Sequence, residues 1–205
     1  PMPGFYITNS GFAPCSKGTY QPLPAQHFCI NATAGHFVDH IGSNAQTPCP
    51  AGTFSDADVS TSSEVCQTAP VGSFAPGGEA EARIAEPGYY VDLQGSESQT
   101  PCPSGTFSEV TGATSYEACQ IVQPGEFSES GSSVAIPCPI GTFQPYEGQS
   151  ECIEASPGHY SEIMGSIAQL PCTIGYFQPN SSQTSCLPAE VGFFVATASA
   201  ETQAE

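Results

Sequence analysis

Residues 101–107 read Pro101-Cys102-Pro103-Ser104-Gly105-Thr106-Phe107, and the pattern returns as PCSKGTY at 14–20, PCPAGTF at 48–54, PCPIGTF at 137–143 and PCTIGYF at 171–177. Its smallest element is Gly, any residue, then Phe or Tyr. That element occurs twelve times, at Gly4, Gly18, Gly35, Gly52, Gly72, Gly88, Gly105, Gly125, Gly141, Gly158, Gly175 and Gly192. The steps between them are 14, 17, 17, 20, 16, 17, 20, 16, 17, 17 and 17 residues. A period near 17 held along all 205 residues marks a repeat array, in which each segment meets its neighbours and not one shared centre. This excludes a catalytic domain built around a central pocket.

Composition agrees. Gly (21) and Pro (20) together make one fifth of the chain, Trp is absent and 39% of residues are hydrophobic, too few for a conventional core. Lys17 and Arg83 stand against 20 carboxylates, for a net charge of −18. Such a surface repels nucleic-acid phosphates and anionic lipid and keeps an assembly soluble. The charge reads as a solvated acidic exterior. No run is long and apolar enough to span a membrane, so neither nucleic acid nor membrane insertion is expected. The sequence opens at Pro1, inside its own pattern, which leads to the expectation of a mature or excised piece of a secreted protein.

The ten cysteines fall into five neighbouring pairs, and the first of each pair sits in Pro-Cys three residues before a repeat glycine. An even number of cysteines in phase with a repeat, in a chain with little core, reads as a disulfide framework made in an oxidising compartment. Spacing alone leaves the connectivity open. The repeat favours neighbour pairing: Cys15–Cys29, Cys49–Cys66, Cys102–Cys119, Cys138–Cys152 and Cys172–Cys186. Zinc wants close ligand pairs such as Cys-x-x-Cys, which the chain does not contain.

The residue after each glycine varies, but the next is always aromatic: Tyr6, Tyr20, Phe37, Phe54, Phe74, Tyr90, Phe107, Phe127, Phe143, Tyr160, Phe177 and Phe194. One mixed position beside one aromatic position is period-2 behaviour, so the rings are expected to point inward as the repeat core, with their neighbours outward. Turn-rich stretches such as DADVSTSS at 56–63 and QPNSSQ at 178–183 follow each short strand, making every repeat a small hairpin. The expected fold is all-β and irregular. It is an elongated, disulfide-stapled array of about twelve 17-residue hairpin repeats, one continuous array over 1–205. Pairing a stapled with an unstapled repeat gives full repeats at 1–33, 34–70, 87–123, 124–156 and 157–190, with extra cysteine-free repeats at 71–86 and 191–205. A second copy following Glu205 would place its Gly4 17 residues after Gly192, in phase with the repeat. A longer array and a head-to-tail filament of subunits both fit that phase.

The string P-C-P-x-G-T-F, about a dozen residues, Cys, then A-P-G-x-Y resembles the ephrin-receptor-like cysteine-rich repeat. That repeat is known from many extracellular proteins, including algal mastigoneme-like glycoproteins that form flagellar hairs. The family often places closely spaced cysteines between consecutive repeats, whereas here one pair serves about 34 residues. The resemblance implies no catalytic residues, and none are assigned.

Asn31-Ala32-Thr33 and Asn180-Ser181-Ser182 are acceptor sequences for N-linked sugar, so covalent glycans are expected at Asn31 and Asn180. No other cofactor and no metal is expected. His36, Asp39 and His40 form HFVDH, but strand residues four apart lie about 13 Å from each other, too far to share an ion. Asp56 and Asp58 lack the further oxygen ligands of a calcium loop. No nucleophile elbow or phosphate loop is present, so the chain is read as a non-enzyme. The expected function is a structural subunit or segment of an extracellular glycosylated filament, at the cell or flagellar surface, whose partners are further copies of the array and its own glycans. The alternative is a stalk or ligand-binding ectodomain of a receptor or adhesin.

Overall fold

The computed structural model describes residues 2–205. It contains eleven two-stranded sheets, one for each of the first eleven repeats, and no α-helix among the described residues. The first hairpin is the longest, β1 (Phe5–Thr8) against β2 (Gly11–Pro14). The others pair two residues with two, antiparallel, as in Thr106↔Ile121 and Phe107↔Gln120. Repeat 12 is reduced to a bridge between Phe194 and Ala204. The chain is therefore a disulfide-stapled array of small hairpins.

Eleven of the twelve repeats start with the same hydrogen-bonded turn. The N–H after the repeat glycine donates to the carbonyl two residues before it, as in Thr53 to Pro50 at 3.0 Å and His159 to Ser156 at 3.0 Å. The glycine takes the third place of the turn with positive φ, +82° at Gly52 and +78° at Gly158. This is type II turn geometry, which needs glycine at that place and favours proline just before it, as at Pro87, Pro124 and Pro157. Threonine in the following place ties the same turn. Thr19, Thr53, Thr106 and Thr142 each donate Oγ1 to the turn carbonyl at 2.7–2.8 Å.

The repeats are joined by backbone bonds that recur without a gap. The N–H of every repeat glycine from Gly4 to Gly175 donates to the carbonyl three residues past the next repeat glycine, from Gly4 to Gln21 (2.7 Å) through Gly175 to Val195 (3.0 Å). The residue three before each glycine from Gly18 to Gly175, position −3, bonds at both ends. Its N–H donates to the preceding repeat glycine, and its carbonyl accepts from a loop of the following repeat. Cys15, for example, donates to Gly4 at 2.9 Å and accepts from Gly42 at 2.7 Å, while Ala155 donates to Gly141 at 2.9 Å and accepts from Ser182 at 2.8 Å. Each of these bonds joins residues of one compact unit. There are two such units, one made of Pro1–Glu86, Tyr90–Thr100 and Thr111–Tyr116, the other of Pro87–Tyr89, Pro101–Val110 and Glu117–Glu205.

This arrangement corrects the expected core. From Gly18 onward position −3 is occupied only by Cys, Ala or Val, and Cys15, Ala69, Ala85, Cys102, Val122, Cys138, Ala155 and Cys172 are all 0% exposed. Position +3 is the second buried row, with Gln21, Val38, Ser55, Ala75, Val91, Ser108, Ser128, Gln144, Ser161 and Gln178 all at 2% or less. The rings lie at the margin. Phe37 is buried and Phe194 exposed, while Tyr6, Tyr20, Phe54, Phe74, Tyr90, Phe107, Phe127, Phe143, Tyr160 and Phe177 are half-buried. The reason is steric. Adjacent repeats are hydrogen-bonded backbone to backbone at their centres, which leaves room there for a methyl, a thiol or an isopropyl group but not a ring.

The position after the glycine is not simply outward either. It packs under the loop of the repeat two places on: Phe5 near Gly42, His36 near Gly78, Tyr89 near Gly131. His159 does the same, its Nε2 lying 3.3 Å from the Ser199 hydroxyl. Two repeats exceed the usual loop length, and each absorbs the excess in a single 3-10 turn, Ser63–Val65 and Tyr116–Ala118.

Candidate functional site

The chemically distinctive feature of nine of the twelve repeats is the closure at the base. In repeats 2, 4, 7, 9 and 11 it is a disulfide: Cys15–Cys29, Cys49–Cys66, Cys102–Cys119, Cys138–Cys152 and Cys172–Cys186, with no free cysteine. The first cysteine always fills position −3, and the second lies six residues before the next repeat glycine. Each closed loop of about 15 residues contributes on the order of 3 kcal/mol in the chain-entropy picture.

Four of the unstapled repeats carry glutamine where the second cysteine would be. Its Oε1 accepts the backbone N–H next to position −3: Gln46 from Thr33 (3.0 Å), Gln99 from Glu86 (2.8 Å), Gln169 from Ser156 (2.7 Å) and Gln203 from Glu190 (2.7 Å). In these repeats position −3 is Ala32, Ala85, Ala155 or Ala189. Alanine with glutamine thus replaces cysteine with cysteine, in the same register. A neutral bond of this kind contributes about 1 kcal/mol, against roughly 3 for the disulfide. Repeats 1, 5 and 8 have neither, and in repeat 5 Arg83 Nη2 pairs with Glu79 Oε1.

Repeats with the 14-residue disulfide loop have a further brace inside. Gln21, Gln144 and Gln178 are buried, and each amide donates across the loop at 2.8 Å, to the carbonyls of Phe28, Glu151 and Ser185. Their Oε1 atoms accept the N–H of Leu23, Tyr146 and Asn180 at 3.0–3.2 Å. The 17-residue disulfide loops have Ser55 and Ser108 instead.

The outer face differs along the chain. In repeats 8 to 11 the ring is paired across the hairpin with an aliphatic side chain: Phe127↔Ile136, Phe143↔Ile153, Tyr160↔Leu170, Phe177↔Leu187. In repeats 3, 4, 5 and 7 the partner is Thr47, Gln67, Arg83 or Gln120. Aromatic–aliphatic cross-strand pairs each contribute about 0.2–1 kcal/mol.

Both sequon asparagines are exposed. Asn31 stands opposite Thr19 in its hairpin, and the hydroxyl of Thr33 accepts from the Gln46 amide at 3.0 Å. Asn180 sits in the braced loop of repeat 11, two residues before left-handed Ser182. In the HFVDH segment, His36 lies under Gly78, while Asp39 and His40 bond only each other among the described side chains. Asp58 accepts the Ala34 N–H at 2.9 Å and so helps hold the turn of repeat 3. The described residues include no group of three or more His, Cys, Asp or Glu placed to share a metal ion, and no helix long and apolar enough to cross a membrane.

Residues 125–169 match the family model described as Tyrosine-protein kinase ephrin type A/B receptor-like. The matched segment runs from the Gly125 turn through Cys138–Cys152 to the Gln169 closure, so it spans one disulfide closure and one glutamine closure. Over 154 residues the chain is 27% identical to Sushi, von Willebrand factor type A, EGF and pentraxin domain-containing protein 1 of Rattus norvegicus, and 26% identical to the Mus musculus protein of that name. That similarity covers 73% of this chain and 4% of each of those proteins. The chain is a cysteine-rich array with an ephrin-receptor-like segment, similar over most of its length to part of a much longer multidomain protein. Its five disulfides are those of an extracellular-type domain.

Proposed function

We propose that this chain is a structural segment of an extracellular, sugar-coated filament of the flagellar-hair or surface-fibril kind, acting as a stapled spacer that assembles linearly. One observation carries the reading. The same backbone bond recurs from each repeat glycine to the next repeat, from Gly4 to Gly175, independent of whether a repeat is closed by cysteine or by glutamine. Such an array adds length one repeat at a time without a new core. The acidic exterior keeps it dispersed, and glycans on Asn31 and Asn180 would shield repeat edges from proteases and from lateral strand pairing. Its partners in this reading are further copies of the array and its own sugars, with no catalytic role, no cofactor and no nucleic acid.

A second reading, the stalk or ligand-binding ectodomain of a cell-surface receptor or adhesin, is favoured by the likeness to a small part of a long multidomain protein. Electron microscopy of native material separates the two. Regular filaments that incorporate the chain support the first reading, and isolated stalks on membranes support the second and overturn the first. Glycopeptide mass spectrometry of the same material reads occupancy at Asn31 and Asn180.

A further inference from the structure

Lys17 and Arg83 are the only lysine and arginine in the sequence, so an endoprotease that needs a basic residue before the bond it cuts has two bonds to choose from. Their settings differ. Lys17 lies inside the loop closed by Cys15–Cys29, so a cut after it leaves the two sides joined by the disulfide. Arg83 lies between Cys66 and Cys102, a stretch that no disulfide spans. A cut after Arg83 leaves no covalent link between 1–83 and 84–205.

Repeat 5, which holds Arg83, is also unfastened. Ala82 stands where the second closure residue would be, and the residue whose N–H a closing glutamine would accept is Pro70, which has none. Repeats 1 and 8 lack a fastening too, but their hairpins carry no lysine or arginine. The segment leading to the bond, Ala80–Ala82, makes no backbone hydrogen bond among the described residues. Arg83 and Ile84 are exposed and pair with Phe74 and Ser73. The ion pair of Arg83 with Glu79 is an exposed i,i+4 contact, a weak restraint. Beyond the bond the chain is held: Ala85 is buried, its N–H donates to Gly72 at 2.9 Å and its carbonyl accepts from Gly112 at 2.7 Å. A protease takes its substrate as an extended strand, so the bond is cut when this hairpin opens locally. With no closure at its base, repeat 5 opens more readily than its stapled neighbours.

We propose that repeat 5 is a processing site, at which an arginine-directed serine protease divides the array. The acidic specificity pocket of such an enzyme takes the Arg83 guanidinium. One water is consumed at the Arg83–Ile84 peptide bond. Its oxygen goes to the Arg83 carbonyl carbon, the C–N bond breaks, and both its hydrogens end on the Ile84 nitrogen, leaving a carboxylate and an ammonium group. The site serves a filament and a stalk alike, since it rests on the closures and not on what the array assembles into.

Trypsin, used as the probe on the full oxidised chain, tests the site. The matched variant is Arg83→Gln/Gln120→Arg, which moves the arginine to the same register place in disulfide-closed repeat 7. Gln120 is exposed and, like Arg83, is followed by an exposed isoleucine, Ile121, so the exchange touches only the surface. In the parent the expected products, read by non-reducing denaturing gel and intact mass, are 1–83 and 84–205. In the variant the bond after residue 120 is expected to be cut at least tenfold more slowly. Labelling of free amines in native material before digestion should tag Ile84. Three results each overturn the proposal: an Arg83–Ile84 bond that survives conditions which cut the reduced, unfolded chain, equal rates in parent and variant, or an untagged Ile84 in native material.

Discussion

The side-chain oxygen of Gln99 accepts the backbone N–H of Glu86 at 2.8 Å, closing repeat 6 at the place where Cys119 closes repeat 7 by bonding Cys102. The two closures share a register, and the second is covalent. The array therefore uses strong and weak fastenings in one register, and the two should be exchangeable within limits.

Exchange in repeat 11 tests this. The double variant Cys172→Ala/Cys186→Gln reproduces the residues and the 14-residue spacing of Ala155 and Gln169 in repeat 10. It is expected to fold with an unchanged far-ultraviolet circular dichroism spectrum and to lose about 2 kcal/mol in urea unfolding, the difference between a disulfide and a side-chain hydrogen bond. Cys172→Ala/Cys186→Ala should lose roughly 1 kcal/mol more. Equal loss in both would mean that the glutamine closure contributes nothing.

Enlarging position −3 should be worse than trimming a ring. Ala155 is 0% exposed, and its N–H and carbonyl are both bonded. Ala155→Leu is expected to cost about 3 kcal/mol or more by overpacking a site with no room to relax. Tyr160→Leu, at a half-buried ring facing Leu170, is expected to cost about 1 kcal/mol. Thermal unfolding of both variants ranks them, and the opposite order would restore the aromatic residues as the core.

Much of this was legible in the chain. The period shows because every repeat needs a glycine at the same turn, and the cysteine register shows because position −3 faces the same neighbour each time. The role of the rings is not legible there, since alternation over a two-residue strand says which side a residue takes but not what else occupies that side. At Phe143 the inward space is already filled by the backbone of adjoining repeats, and the buried neighbour is Gln144. The glutamine closure leaves only a faint signal in the sequence. Gln46, Gln99 and Gln169 each stand three residues before the Pro-Cys cysteine, where no structure-free rule marks a lone glutamine as a fastening.

Gln144 offers a sharper test of the buried brace. It is 2% exposed and bonds the Glu151 carbonyl and the Tyr146 N–H. Gln144→Ala leaves both without a partner and is expected to cost about 2–3 kcal/mol. Amide exchange at Tyr146 should accelerate in step. A neutral substitution would show that water replaces the brace.

Gly88→Ala is expected to be among the most damaging single methyl additions. The new Cβ would meet the Gly131 carbonyl, and the residue would be held at φ +89°. Gly11→Ala also strains φ but meets nothing within 4 Å. Comparing the two in urea separates steric exclusion from backbone strain, with a difference of at least about 2 kcal/mol expected in favour of Gly11→Ala.

The central claim is that order passes from repeat to repeat through the backbone, with disulfides as reinforcement. Native-state amide hydrogen exchange, read at the N–H of each repeat glycine from Gly4 to Gly175, tests it most directly. The account predicts slow exchange at all of them, with Gly35, Gly88 and Gly158 in glutamine-closed repeats protected to within about tenfold of Gly52, Gly105 and Gly141 in cysteine-closed ones. Protection confined to the disulfide-closed repeats, with free exchange between them, would contradict it.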